Sequence, residues 1–122
     1  MNNKVLIFSN ANELVKIHPT FVVYVESDGN YSVVHLCDKT ECVFSINLSH
    51  VQQLIEEQLG YESAIFIRIG KQLIVNRSYI FKINPAKQQL IMLNNEQKQA
   101  FVLQASKEAL KKLKDLIEKE RG

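Results

Sequence analysis

The chain has 122 residues, of which 46% are hydrophobic and 23% charged, and its formal net charge is +2 at pH 7. This length suits a single domain (residues 1–122) with one core, and the mixed charge argues against wholesale disorder. No run of eighteen apolar residues occurs, which argues against a membrane-spanning helix. The two cysteines and the lack of a secretory signal pattern predict free thiols in a reducing cytoplasm.

The charges are unevenly divided along the chain. Residues 1–60 hold three Lys/Arg against seven Asp/Glu, a net −4, whereas residues 61–122 hold twelve against six, a net +6. An acidic half and a basic half are typical of a protein that presents one face to a polyanion. A solvated basic helix near the C-terminus would produce the same asymmetry.

The first half of the chain predicts short strands separated by turns. β-branched runs indicate strands at residues 4–8, 21–26, 31–37 and 41–46. Residues 13–17 fit either a strand or a single helical turn, and Pro19 keeps a helix from passing His18. Asp28-Gly29 is a strong hairpin signal, because glycine adopts positive φ without steric cost.

A helix is predicted over residues 47–59, where apolar side chains recur at helical spacing. Ser49 and Gln52 have the spacing of a capping box, and Gly60 suits the position after the helix. Further strands follow at residues 66–69, 73–75, 79–83, 89–93 and 100–103. Ser106 caps a final amphipathic helix that runs to about residue 120. The predicted fold is mainly β: about ten short strands in small packed antiparallel sheets, with one mid-chain and one C-terminal helix.

Two separate motifs carry a family resemblance. The first is VYVESDGNY at residues 23–31, and the second is FIRI at 66–69 followed, after three residues, by LIVNRSYI at 73–80. Ser106-Lys107 at the start of the last helix is a third matching feature. Over about residues 21–116 the chain resembles the LytTR family of bacterial DNA-binding domains. Because the sequence contains no receiver domain such as many members of this response-regulator-like family carry, we expect a stand-alone DNA-binding domain.

The resemblance implies that loops, rather than a recognition helix, contact DNA. The family's base-reading positions align with Asn30, Lys71 and Lys107. Asparagine pairs with adenine and lysine with guanine O6 and N7, so these residue types suit that role. The positions expected near the DNA backbone are Tyr31, Arg68, Gln72, Asn76, Arg77, Ser78 and Ser106.

Each of these positions also has a structural interpretation. Asn30 follows Asp-Gly and would satisfy turn geometry, while Lys71 and Lys107 would be ordinary solvated lysines. Asn76 would hydrogen-bond loop backbone, an interpretation that we favour over a base contact. Arg68 would pair with an acid such as Glu26. The loop Gly70-Lys71-Gln72 also departs from the His-Arg-Ser-like run of many family members.

The sequence contains no pattern typical of an enzyme, a cofactor site or a metal site. No Gly-rich phosphate loop, nucleophile elbow or HExxH occurs. His35, Cys37 and Cys42 lie close in sequence, but their spacing matches no common zinc pattern, and we expect packing rather than metal binding. We therefore predict a cytoplasmic, sequence-specific transcription regulator that reads major grooves of double-stranded DNA. The sequence leaves open whether one copy binds, or two as a homodimer or in tandem on repeated sites. The alternative is a protein–protein interaction module that partners another regulator.

Overall fold

The computed structural model of the chain describes residues 4–96 and 98–120, which form two compact units, residues 1–76 and 77–122. Within the described residues there are ten strands and two α-helices, so the mainly β prediction is confirmed. All strand pairs are antiparallel, in three small sheets. A helix long and apolar enough to cross a membrane does not occur among these residues.

The first unit contains a two-stranded sheet, a five-stranded sheet and one helix. Its elements are β1 (Leu6–Ser9), β2 (Leu14–Ile17), β3 (Val22–Asp28), β4 (Tyr31–Leu36), β5 (Glu41–Phe44), α1 (Leu48–Leu59), β6 (Phe66–Ile69) and β7 (Leu73–Asn76). β1 pairs with β2, which settles the ambiguity over residues 13–17 in favour of a strand. The larger sheet has the order β5-β4-β3-β7-β6.

Helix α1 packs its apolar stripe into the core of this unit. Leu48, Val51, Ile55 and Leu59 are all at most 3% exposed, at the i, i+3, i+7 and i+11 spacing of one helix face. They join side chains from both sheets in one buried cluster: Leu6, Phe8, Ile17, Val22, Val25, Val34, Phe44 and Ile74. Burial of each stripe side chain stabilises the fold by roughly 1.5–3 kcal/mol, which fixes α1 against the larger sheet.

The start of α1 differs from the predicted capping box. Asn47 is the N-cap, and its Oδ1 accepts a hydrogen bond from the backbone N–H of His50 at 2.8 Å. Ser49 lies inside the first turn instead. Gly60 ends the helix as expected, with φ of +62° and its N–H bonded to the Glu56 carbonyl.

Replacing Asn47 with alanine is expected to lower the free energy of unfolding by about 1 kcal/mol, because an N-cap side chain satisfies a helix N–H that otherwise lacks a partner. Urea unfolding followed by circular dichroism measures the change. Ser49→Ala is the matched control and should change stability by less than about 0.5 kcal/mol. The cap assignment would be wrong if the serine variant were the less stable of the two.

The second unit is a three-stranded sheet with one helix. Its elements are β8 (Ile80–Asn84), β9 (Gln89–Asn94), β10 (Gln99–Gln104) and α2 (Lys107–Glu120), with strand order β10-β9-β8. One face of the sheet is buried through Leu90, Met92, Phe101 and Leu103. Helix α2 buries Leu110 and Leu113, whereas the predicted stripe members Leu116 and Ile117 remain partly accessible.

Candidate nucleic-acid interface

The β3–β4 hairpin presents Asn30 at its tip. Asp28 pairs with Tyr31 across the strands, so the connection consists of Gly29 and Asn30 alone. Gly29 has φ of +64°, a conformation that a residue with a Cβ adopts only under strain. Glycine at the first of two loop positions is typical of a tight hairpin turn whose twist matches that of the strands. Asn30 and Tyr31 are both exposed.

The β6–β7 hairpin presents Lys71 in the same way. Ile69 pairs with Leu73, which leaves the three-residue loop Gly70-Lys71-Gln72. Gly70 has φ of +57°, and this positive φ lets the chain reverse directly after β6. Lys71 and Gln72 are exposed, whereas Ile69 and Leu73 on either side are buried. The polar loop therefore extends from a firmly packed base.

Pairing of β3 with β7 brings the two hairpin tips to the same end of the five-stranded sheet. Glu26 lies opposite Leu73, and the Ser27 N–H donates to the Gln72 carbonyl at 2.9 Å. Because the strands are antiparallel, the end of β3 meets the start of β7. Asn30 and Lys71, predicted from separate motifs, therefore belong to neighbouring turns of one rigid framework.

Arg68 holds the β6–β7 loop from inside. Its Nε donates to the Gly70 carbonyl at 3.0 Å and its Nη2 to the Lys71 carbonyl at 3.4 Å. Its Nη1 donates to Oε1 of Gln52, on α1, at 2.8 Å. The guanidinium therefore ties the loop backbone to the helix. This arrangement suits a residue that positions Lys71, in contrast to the phosphate contact that the sequence led us to expect.

Glu26 does not accept the ion pair with Arg68 that the sequence left open. Its Oε1 lies 2.8 Å from Nε2 of His35, and Oε2 of Glu41 lies 3.7 Å from Nδ1 of the same ring. The His35 ring stacks on Tyr24 at 4.1 Å between centroids. Burial, followed by the nearby Glu26 and Glu41 carboxylates, raises the pKa of Tyr24 to about 12. These contacts link β3, β4 and β5 within the sheet.

Asn76 has no exposed surface. Its Nδ2 donates to the Val22 carbonyl at 2.9 Å, from the end of β7 to the start of β3. A side chain at 0% exposure cannot reach a DNA phosphate, so the structure does not support the backbone contact expected at this position. The structural interpretation that we favoured for Asn76 fits its surroundings, because a buried amide requires hydrogen-bond partners.

The remaining predicted positions lie in the second unit. Ser106 caps α2, with its Oγ accepting the Ala109 N–H at 3.1 Å, and Lys107 is exposed in the first helical turn. Arg77 forms an ion pair with Glu120, and this hydrogen bond lowers the pKa of the Glu120 carboxyl. Ser78 is exposed beside Arg77. An ion pair that is accessible to solvent contributes little stability.

The two cysteines lie around the β4–β5 turn and are both partly buried. No disulfide joins Cys37 and Cys42, and Cys42 pairs across the strands with Val34 rather than with Cys37. Burial is the main cause that raises the pKa of Cys42. Among residues 4–96 and 98–120 there is no cluster of three or more His, Cys, Asp or Glu side chains suited to a metal ion.

Comparison with known proteins identifies the family. The family model described as the LytTr DNA-binding domain matches residues 12–118, nearly the whole chain. The chain belongs to the LytTR family. Its match extends beyond the residues 21–116 over which the motifs suggested the resemblance, and it includes both hairpins and most of α2. LytTR domains bind DNA and are not enzymes, so double-stranded DNA is the class of partner and transcription regulation the general role.

A solved LytTR structure shares the fold. The LytTr DNA-binding domain of a protein described as a methyl-accepting/DNA response regulator from Bacillus cereus superposes with a TM-score of 0.62. The alignment covers 95% of this chain and 98% of that one at 15% sequence identity. At this identity the comparison establishes the architecture alone. A search of the curated proteins gives no match.

Sequence reasoning missed two residues of this LytTR domain that support the loops. Gln52 was assigned to a capping box, yet its side chain accepts from Arg68. Ser27 was part of a motif without a role of its own, yet its N–H links the end of β3 to the β6–β7 loop. Gln52 and Arg68 are sixteen residues apart and on different elements, so no local pattern in the sequence pairs them.

Proposed function

We propose that this LytTR domain reads specific DNA sequences through its loops, with Asn30, Lys71 and Lys107 contacting base edges in the major groove. The observation that carries the proposal is the Ser27–Gln72 backbone hydrogen bond, which joins the end of β3, just before the turn with Asn30, to the loop that bears Lys71. An asparagine and a lysine on neighbouring rigid turns suit adenine and guanine edges, respectively. Both turns are short and anchored on buried strands, so little conformational entropy is lost on binding.

The charge distribution supports different contributions of the two units to DNA binding. The second unit holds ten Lys/Arg against five Asp/Glu, a net +5, whereas the first holds five against eight, a net −3. Phosphate contacts depend on positive charge and supply most non-specific affinity. We infer that the second unit supplies much of the attraction to the backbone, through Arg77 and the exposed lysines of α2. Tyr31, Gln72, Ser78 and the α2 start at Ser106 would add polar contacts.

The proposed role places the protein in the bacterial cytoplasm, where it would act as a transcription regulator on chromosomal DNA. Selection from a random duplex pool, followed by fluorescence anisotropy of the enriched duplex across a salt series, tests this function. With about five phosphates neutralised, log K should fall with log [salt] with a slope of roughly −4 to −5. A slope near zero, or a pool without enrichment, would contradict the proposal.

The number of copies on the DNA follows from the same experiment. Titration of the enriched duplex at concentrations well above Kd gives the binding stoichiometry directly. A single copy, a homodimer and tandem copies on repeated sites all fit sequence-specific binding. Repeats in the enriched sequence, with two proteins per duplex at saturation, would indicate the tandem or dimeric arrangement.

A further inference from the structure

A cavity of about 420 Å³ lies in the first unit, and none of the residues predicted to contact DNA lines it. Its walls come from β1 and the turn after it, from the end of β5, and from α1. The lining residues are Ile7, Phe8, Ser9, Asn10, Glu13, Phe44, Ser45, Ile46, His50, Leu54 and Gln58. The volume is within the range of about 300–1,000 Å³ typical of sites for small molecules.

Apolar side chains from three elements form one wall of the cavity. The rings of Phe8 on β1 and Phe44 on β5 stack with their centroids 4.3 Å apart and their planes 13° apart. Ile46 and Leu54, which are both partly buried, pack against the same core. Because burial of apolar surface drives association in water, this wall favours a ligand with an apolar body. A flat ring suits the wall best, since aromatic side chains make favourable offset and edge contacts with other rings.

Two of the polar lining side chains are already engaged in holding β1 and its turn. Oε1 of Gln58 accepts the Ile7 N–H at 2.7 Å, and Nε2 of Gln58 donates to the Ile7 carbonyl at 2.9 Å. Oδ1 of Asn10 accepts the N–H groups of Asn12 and Glu13 at 2.8 and 3.0 Å. These two amides therefore belong to the frame of the cavity, and recognition of a ligand falls to other side chains.

The carboxylate of Glu13 is the charged group of the lining. The lining contains no Lys or Arg, and its other ionisable side chain is that of His50. Within residues 4–96 and 98–120, the Glu13 carboxylate forms no hydrogen bond or ion pair. A carboxylate beside an apolar wall, without a cation of the protein to pair with, favours a ligand that is itself a cation.

The strand register places this carboxylate on the same side as the aromatic wall. Phe8 pairs with Val15, and Glu13 precedes Val15 by two residues, so Glu13 and Phe8 share one face of the two-stranded sheet. The carboxylate also lies towards β5: after burial and Asp38, its charge is the third cause that raises the pKa of Cys42. One short molecule can therefore reach both the charge and the rings.

We propose that this cavity binds a small primary amine with a compact aromatic body. Its ammonium group would pair with the Glu13 carboxylate while its ring packs on Phe8, Phe44 and Leu54. An alkylammonium ion keeps its charge at neutral pH, whereas a carboxylic acid would bring a second negative charge next to Glu13. The site is separate from the residues proposed to read bases, and it stands whether or not those residues contact DNA.

The test uses the full chain with ¹³C-labelled isoleucine and leucine methyl groups, titrated with 2-phenylethylamine. We expect the methyl resonances of Ile7, Ile46 and Leu54 to shift along one binding curve. The control 2-phenylethanol keeps the ring without the charge and should bind about two- to fivefold more weakly at low salt. Methylamine keeps the charge without the ring and should bind at least about tenfold more weakly. Unchanged resonances at these three side chains, or equal binding of amine and alcohol, would overturn the proposal.

Two variants test the charge preference. Glu13→Gln should weaken binding of 2-phenylethylamine about two- to fivefold, to the level of 2-phenylethanol, and should leave binding of the alcohol unchanged. Glu57→Gln removes the same charge from an exposed position on α1 outside the lining and should leave both ligands unaffected. Equal losses in the two variants would indicate general electrostatic attraction and contradict the assigned site. Lys71→Ala should bind the amine like the unmodified protein, which separates this site from the DNA interface.

Discussion

Replacing Lys71 and Lys107 together with alanine is expected to weaken binding to the enriched duplex by about 30-fold to 10⁴-fold. Each base contact provides about 1–3 kcal/mol of discrimination, and the lower and upper limits of the expected loss are the sums for two such contacts. Both lysines are exposed, so their removal should leave the fold intact. Binding to unrelated duplexes should change much less, because a base contact contributes little to non-specific affinity.

The salt dependence distinguishes base contacts from phosphate contacts. If Lys71 and Lys107 read bases, the double variant should lose specificity while the slope of log K against log [salt] stays nearly constant. If they bind phosphates, affinity should fall for all sequences and the slope should drop by about one per lysine. Lys16→Ala with Lys82→Ala is the matched control, since it removes the same charge from exposed strand positions outside the loops and outside α2. Equal losses in both double variants would exclude the base-reading role.

Much of the architecture could be predicted from local sequence. Each of the ten described strands coincides with a short β-branched or apolar run. Gly29, predicted in a hairpin turn, and Gly70, in the loop between two predicted strands, both have positive φ. Local patterns suffice here because hairpin turns depend on the φ/ψ preferences of one or two residues. The positions of Asn30 and Lys71 at turn tips follow from these same local rules.

The pairing of β3 with β7 could not be predicted in this way. The strands lie far apart in the chain, and their register depends on which faces become buried, a property of the whole sheet. Yet this pairing determines that the two tips share one end of the sheet. The motifs identified each loop separately, whereas the hydrogen bonds between β3 and β7 place the two loops at the same end of the sheet.

The family motifs contain structural polar residues as well as the positions proposed to bind DNA, and burial distinguishes the two groups. Tyr24, Glu26 and Asn76 belong to the two motifs that resemble LytTR domains. Tyr24 is 8% exposed and stacked on His35, Glu26 bonds His35, and Asn76 is fully buried. Polar residues within a motif suggest function, but buried polar groups with satisfied hydrogen bonds more often specify a fold. The sequence alone left both roles open for Asn76, whereas its complete burial in the structure favours a structural role.

Arg68→Ala provides the sharpest test of how the β6–β7 loop is organised. We expect this variant to bind the enriched duplex about 5- to 100-fold more weakly, because the loop carbonyls of Gly70 and Lys71 lose their guanidinium donor and Lys71 is no longer held in place. Non-specific binding and the salt slope should remain close to those of the unmodified domain. ¹⁵N relaxation of the loop amides should report faster local motion.

Gln52→Ala tests the positioning role of Arg68 without removing its charge. Gln52 carries no charge and lies on α1, but it holds the guanidinium through a 2.8 Å hydrogen bond. Its removal should reduce specificity in the same direction as Arg68→Ala, by a smaller factor, since one of three bonds to the guanidinium is lost. A phosphate contact by Arg68 predicts the opposite pattern: Gln52→Ala would be neutral, and Arg68→Ala would weaken every duplex and lower the salt slope by about one. That outcome would indicate that Arg68 contacts a DNA phosphate and that β6 and β7 alone order the loop.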